Sequence, residues 1–160
     1  PDRASKALLY LTKGYREDLQ KIINGAIFED DNLKKGIVLI KSIDFYSLCE
    51  HHMLPFFGTC SIGYYPQKKY IGLSKIVRIV EFFSRRFQVQ ERLTNQIGET
   101  LDQLLKPLGV AVVLSATHLC MAMRGVEKAS SIAVTSYFSG IFETDHSVKE
   151  EFLNLISNEK

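Results

Sequence analysis

Cys49-Glu50-His51-His52 places a thiol, a carboxylate and two imidazoles on four consecutive residues. Thiolate and imidazole are good ligands for zinc and its neighbours in the transition series. A second dense point, His118-Leu119-Cys120, follows about seventy residues later. Cys49 and His52 are three apart, which lets both reach one ion from a single turn. His118 and Cys120 fall in a strand-like run, where period-two alternation predicts that their side chains share a face. Cys49, His52 and Cys120 together make a Cys₂His set with a fourth position open, the pattern of catalytic zinc. Recruiting His118 or His51 as a fourth ligand would instead close the site structurally. The chain holds only four histidines and three cysteines, so their concentration at two places favours a metal over a pair of buried thiols. A Cys49–Cys120 disulfide would leave the clustered histidines unexplained. Cys60 lies mid-strand without such neighbours and reads as a small core residue.

Two further places carry charge in a useful position. Ser74-Lys75, with Arg78, sits at an expected helix start, where free N–H groups and the helix dipole favour an anion. Without a ligand the same residues are simply a capped helix with a solvated face. Gln90-Glu91 sits at a second helix start, where an acid is expected for dipole reasons alone.

The elements that must hold these residues follow from the apolar pattern. Residues 1–15 suit a short helix, ended by Lys13-Gly14, and the polar stretch through Asp30-Asp31-Asn32 suits a loop. Gly36 to Leu48 is rich in β-branched and aromatic types, as a strand requires, and the Cys-Glu-His-His cluster sits at its end. Pro55 interrupts, and a second strand is expected from Phe56 to Tyr65. Ser74 suits a helix N-cap ahead of the stripe Ile76, Val77, Ile79, Val80, Phe82, Phe83 and Phe87. A second helix is expected from Val89 to Leu105, with Leu93, Ile97, Leu101 and Leu104 at helical spacing. Strand-like runs cover Gly109 to Met123 and Ile132 to Phe142. Ser147 and Glu150 form a capping box for a last short helix. This order predicts one α+β domain over residues 1–160, with helices packed on an antiparallel sheet.

Composition narrows the class. Apolar residues make up 46% and charged residues 24% of 160, ordinary for a globular protein. The net charge of +2 is scattered, which argues against nucleic-acid binding. No apolar run approaches a membrane span, and no basic-then-apolar leader opens the chain. The missing initiator Met leads to the expectation of a trimmed or processed chain. An odd, small number of cysteines suits a reducing, cytoplasmic compartment with free thiols.

Several long strings then stand together: SLCEHHMLPFFG, IGLSKIVRIVEFFSRRFQVQERLTNQI, GVAVV, ATHLCMAMRGV and VTS. In order and spacing this set resembles GTP cyclohydrolase I, over nearly the whole chain and most tightly from Phe45 to Ser136. The resemblance implies the tunnelling (T-) fold, an antiparallel four-stranded sheet with two long antiparallel helices packed on one side. It implies a toroidal homodecamer with active sites between subunits, and a catalytic core without the family's N-terminal helical extension. It also implies a reaction. Zinc-dependent hydrolysis of GTP at C8 releases formate, and rearrangement gives 7,8-dihydroneopterin triphosphate, the first step of folate or tetrahydrobiopterin synthesis.

Residue by residue, the resemblance makes Cys49, His52 and Cys120 the zinc ligands. It makes His118 the proton carrier near purine N7, and His51 a second catalytic histidine or a group that orients a ligand. Glu50 is left between a general base and a structural hydrogen-bonding role. Ser74, Lys75, Arg78, Arg124 and Arg3 match triphosphate and ribose contacts, and Gln90-Glu91 the pair that reads the guanine edge. Two departures stand out: Ala4-Ser5 beside Arg3 where Val-Ala is usual, and Glu143-Thr144 after Phe142 where Arg-Glu is frequent. Competing readings are another zinc purine or pterin enzyme of the same fold, and a non-catalytic or regulatory nucleotide-binding protein. A zinc nucleoside deaminase lacks its Pro-Cys-x-x-Cys half here.

Overall fold

The computed structural model describes residues 1–33 and 36–158. In chain order the elements are α1 (Asp2–Leu11), a 3₁₀ turn (Lys13–Tyr15), α2 (Leu19–Ile23), β1 (Ile27–Glu29), β2 (Val38–Cys49) and β3 (Pro55–Tyr65). There follow β4 (Lys69–Ile71), α3 (Leu73–Ser84), β5 (Phe87–Gln88), α4 (Gln90–Leu105), β6 (Gly109–His118), α5 (Leu119–Ala122), β7 (Ala133–Phe138), α6 (Ile141–Thr144) and α7 (His146–Ser157). The main sheet has the order β5-β2-β3-β6-β7, and β1 and β4 make a separate ribbon. The four long strands pair antiparallel as expected. A fifth, two-residue strand adds to the edge in parallel, through Leu48↔Phe87 and Cys49↔Gln88.

Alternation sends one face of the sheet to the helices. Phe56, Cys60, Ile62 and Tyr64 of β3, and Val110, Val112, Leu114 and Ala116 of β6, meet Ile76, Ile79, Val80 and Phe83 of α3 and Leu93, Ile97, Leu101 and Leu105 of α4. Each fully buried side chain of this kind contributes about 1.5–3 kcal/mol. Ala111 on the opposite face packs with Phe142 and Phe152 of the two C-terminal helices.

In β2 the pairing slips by one residue between Ile40 and Ile43, where Ser42 adopts φ 59°. This bulge switches the core-facing parity. Val38 and Ile40 point to the helix side before it, and Ile43 and Phe45 after it. The odd-numbered Cys49 therefore ends on the helix side.

The structure departs from the sequence expectation at several ends. The first helix stops at Leu11. Buried Gly14 then donates its N–H to Arg85 O at 3.0 Å, and a Cβ there would lie 2.2 Å from Phe82 O. The expected loop after it contains α2, capped by Asp18, and β1. These elements are too short for their apolar period to register. Ser74 is not the N-cap of α3; Gly72 holds that position, without a side-chain bond. β6 ends at His118 rather than Met123 because α5 turns the chain. β7 stops at Phe138, ahead of Gly140, where φ is 55°. Ser147 does not cap α7; Asp145 does, accepting from the N–H groups of Ser147 and Val148.

Where α4 crosses β7, the Tyr137 hydroxyl donates to Asp102 Oδ2 at 2.6 Å, and the Ser139 hydroxyl donates to Asp102 Oδ1 at 3.0 Å. Burial and the Asp102 carboxylate push the Tyr137 phenol up to about 12. Gly98 lets this crossing close: a Cβ would stand 2.1 Å from the Tyr137 ring. Helix propensity alone favours Gly98→Ala by about 1 kcal/mol. The clash reverses that sign, and Gly98→Ala is expected to lower stability by about 1–3 kcal/mol, read as a lower urea midpoint. An unchanged or raised midpoint would show that the crossing is not tight.

Candidate functional site

Backbone hydrogen bonds shape the turn that carries the cluster. Cys49 N–H donates to Leu54 O and Met53 N–H to Cys49 O, both at 2.8 Å, with Met53 at φ 55°. Glu50 N–H donates to Gln88 O at 3.1 Å, so β5 ties the turn to the start of α4. Within the turn His52 Nδ1 lies 3.6 Å from Cys49 Sγ. Zn–S and Zn–N bonds of 2.3 and 2.0–2.1 Å at a tetrahedral angle span an S···N edge of about 3.6 Å. Cys120 enters from α5, and the ligand atoms of Cys49, His52 and Cys120 all lie within 4.8 Å of one another. Spacing anticipated this triad for a partly wrong reason. Cys120 is not on the strand with His118; it reaches the site because the chain turns into α5 after His118.

The donor chemistry fits a metal ion. Burial, together with the adjacent Cys49 sulfur, holds the Cys120 thiol above its ordinary range, while the Arg124 charge partly opposes this. Two thiolates in contact repel, and a divalent cation between them removes that cost.

Around the triad lies a cavity of about 250 Å³ lined by, among others, His51, Gln90, Glu91, His118, Met121 and Thr135. His118 stacks on Phe56, with ring centroids 4.6 Å apart and planes 2° from parallel, and its Nε2 lies 2.7 Å from Gln90 Oε1. Burial lowers the His118 pKa, with the Glu91 carboxylate acting against it. A partly desolvated imidazole that stays neutral near pH 7 suits proton transfer. Glu91 is exposed in the first turn of α4.

Glu50 has a partner that was not anticipated. Arg92 grips it through both guanidinium nitrogens, Nη2 to Oε1 at 2.9 Å. That hydrogen bond, first among the causes, lowers the Glu50 pKa. Glu50 Oε1 also stands 4.0 Å from His51 Nε2. A carboxylate committed to a bidentate pair is a poor general base, so the structure favours the hydrogen-bonding role.

Gln90 and Glu91 separate in kind. The Gln90 side chain is 2% exposed and both ends of its amide are already bonded, whereas Glu91 keeps an open carboxylate edge on the cavity. The residues expected from the resemblance to contact triphosphate and ribose lie elsewhere. Exposed Ser74 and part-buried Lys75 begin α3, and Lys75 Nζ donates to Ile22 O at 2.8 Å. Arg78 borders a separate cavity with Lys13, Glu17, Ile22 and Glu81. Arg3 is exposed on α1, and Arg124 is exposed just beyond α5. None of the five lines the cavity around the triad. Phe56 and Thr135 were embedded in strings that carried the resemblance, but no spacing rule singles them out. Arg92 gave no signal beyond being a helix-surface charge.

Comparison with known proteins agrees with this geometry. A family model described as GTP cyclohydrolase I matches residues 1–157. The chain is 54% identical over 156 residues to the GTP cyclohydrolase 1 of Leptospira biflexa, covering 98% of this chain and 84% of that protein. It is 53% identical over 160 residues to that of Porphyromonas gingivalis, covering 100% and 81%. It is 52% identical over 158 residues to that of Drosophila melanogaster, covering 99% of this chain but only 48% of that protein. Among solved structures, an apo archaeosine synthase QueF-Like superposes with a TM-score of 0.55 at 16% identity, over 68% of this chain and 97% of that one. That likeness is one of fold, the T-fold. With a family model spanning almost its whole length and relatives above half identity, the chain belongs to the GTP cyclohydrolase I family.

Proposed function

We propose that this site hydrolyses GTP at purine C8, releasing formate and yielding 7,8-dihydroneopterin triphosphate for folate or tetrahydrobiopterin synthesis. One observation carries the reading: a single cavity joins a three-ligand metal set to a partly buried imidazole and an open carboxylate. A zinc ion held by Cys49, His52 and Cys120 would supply Lewis acidity and activate water near neutral pH. His118 moves a proton at N7 as C8 is attacked. His51, on the same wall and beside Glu50, serves the later ribose steps. Glu91 accepts from guanine N1–H and the exocyclic amine, a pattern adenine cannot offer.

Ser74, Lys75, Arg78, Arg124 and Arg3 bind the triphosphate and ribose, through bidentate contacts where the cation is arginine. That Ser74, Lys75, Arg78 and Arg3 lie off the cavity wall supports a homo-oligomer, a toroidal decamer by family resemblance, in which one subunit's cations complete a neighbour's site, whereas the Arg124 charge already acts on Cys120 of its own chain. Three free thiols suit a cytoplasmic setting. Among the described residues no helix is long and apolar enough to cross a membrane.

Purified protein given GTP and zinc is expected to release formate and, after oxidation, a fluorescent pterin. No turnover from metal-loaded, assembled protein would overturn the reading. His118→Ala is expected to keep its metal and lose about 10²–10⁴-fold in kcat, while Cys120→Ser loses both metal and activity; metal analysis beside the assay checks this. If His118→Ala strips the metal, His118 is a ligand. Glu91→Ala is expected to raise KM for GTP and erode its preference over ATP by about 10²-fold or more, measured as the ratio of kcat/KM values. An unchanged ratio would remove Glu91 from guanine recognition. For the shared site, co-assembly of inactive His118→Ala with inactive Arg78→Ala is expected to restore activity. A mixed oligomer that stays inactive would place both residues in one subunit's site.

A further inference from the structure

We propose that Gln90 is a positioning residue: its buried amide fixes which nitrogen of His118 carries the proton, leaving Nδ1 as the nitrogen that exchanges protons with the purine. The inference rests on the reading of His118 as the proton-transfer residue.

The amide cannot turn over. Gln90 Nε2 has Leu114 O at 3.3 Å, Ala133 O at 3.1 Å and Thr135 Oγ1 at 3.1 Å around it. Carbonyl oxygens only accept, so a flipped amide would press Oε1 against two of them in a buried setting, a costly arrangement. The hydroxyls agree in direction. Thr94 Oγ1 donates to Gln90 O at 2.8 Å. Its one hydrogen is thereby used, so in the 2.6 Å contact between Thr94 and Thr135 the Thr135 hydroxyl is the donor. Thr135 Oγ1 is then an acceptor for Gln90 Nε2. The donors run in a closed loop from Gln90 Nε2 to Thr135, to Thr94 and back to Gln90 O.

With Nε2 committed, Oε1 must face His118 Nε2 at 2.7 Å. An amide oxygen accepts, so His118 Nε2 carries the hydrogen. In the neutral ring Nδ1 then holds the lone pair, and no bond to Nδ1 occurs among the described residues. Stacking on Phe56 fixes the ring plane, and the amide fixes rotation within that plane. Together they leave His118 one tautomer and one orientation. This also accounts for a side chain that is 2% exposed at the wall of a polar cavity. Gln90 contributes through His118 rather than by reading guanine with its amide.

The test is ¹⁵N NMR of histidine-labelled, metal-loaded protein at mildly alkaline pH, where an imidazole is neutral. The chain has only four histidines, and His118→Ala identifies the signals of interest. Wild type is expected to show a pyrrole-type Nε2 and a pyridine-type Nδ1 at His118. Gln90→Met, similar in shape and without the amide, is expected to mix the two tautomers. It should lower kcat in step with the share of His118 left in the productive tautomer, about twofold for an even mixture, while KM and bound metal stay unchanged. A wild-type His118 protonated on Nδ1 would overturn the proposal even if the variant fails to fold. So would a Gln90→Met protein with unmixed tautomers, or one whose loss lies in KM. Tautomers shifted without a matching fall in kcat would uphold the arrangement and refute proton transfer by His118 instead.

Discussion

The site exists because β3 lies between two strands that run the opposite way. β2 and β6 both pair antiparallel with β3, so they run in the same direction and finish at the same edge of the sheet. The registers Leu48↔Pro55 and Phe56↔His118 place Cys49 and His118 two strand spacings apart, about 9–10 Å along the hydrogen-bonding direction. Side chains can close that gap only if both point to the same face. The bulge at Ile40–Ile43 arranges this for β2, since a strand of unbroken parity would send Cys49 to the other side. Beyond His118, two more extended residues would carry Cys120 about 7 Å further along β6, level with Cys49 but still two strand spacings from it. The four-residue α5 turns the chain there instead, which brings Cys120 to Cys49 and His52.

Chemistry and core are joined at Gln90. The residue opens α4, whose buried side chains Leu93, Ile97, Leu101 and Leu105 pack on the sheet. Its own side chain is polar, and a polar group inside must be bonded or it destabilises the fold. The sheet meets that demand with two strand carbonyls, Leu114 O and Ala133 O, and the remaining oxygen faces His118. The packing of α4 on β6 and β7 therefore also sets the orientation of the imidazole. Loosening of this packing, as at the Gly98–Tyr137 crossing, would be felt at His118 through the same helix.

Much of the site was legible because metal ligation and proton transfer demand rare side chains. Cys49, His52, Cys120 and His118 can be named from type and clustering without any structure. Their route into space was less legible. The period-two reading of His118 and Cys120 chose the right pair on the wrong geometry, since nothing in Thr117-His118-Leu119-Cys120 announces the end of a strand. Short elements failed for a related reason: α2, β1 and β5 span five, three and two residues, less than the period needed to define them. Caps failed where two residues compete. Asp145 and Ser147 are both good N-caps, and only the φ and ψ of Asp145 decide between them. Neighbours such as Phe56, Thr94 and Thr135 are ordinary residue types whose roles come entirely from register.

The separation of cations from metal ligands follows from the direction of α3. Its C-terminal end runs into β5, which pairs with the residues just before the metal turn. Its N-terminal end, with Ser74 and Lys75, therefore lies at the far end of the helix. Ten residues of helix from Ser74 to Ser84 amount to about 15 Å. A helix N-terminus attracts anions only near its own first turn, so this one cannot act on a phosphate held beside Cys49 of the same chain. In the proposed oligomer a second subunit would bring another copy of that N-terminus to the cavity mouth without disturbing the core on which either site depends. Arg3, on α1, where no residue is buried, has the same character, a cation held at the surface for a neighbouring chain in the proposed oligomer, whereas the exposed Arg124 acts on Cys120 of its own chain.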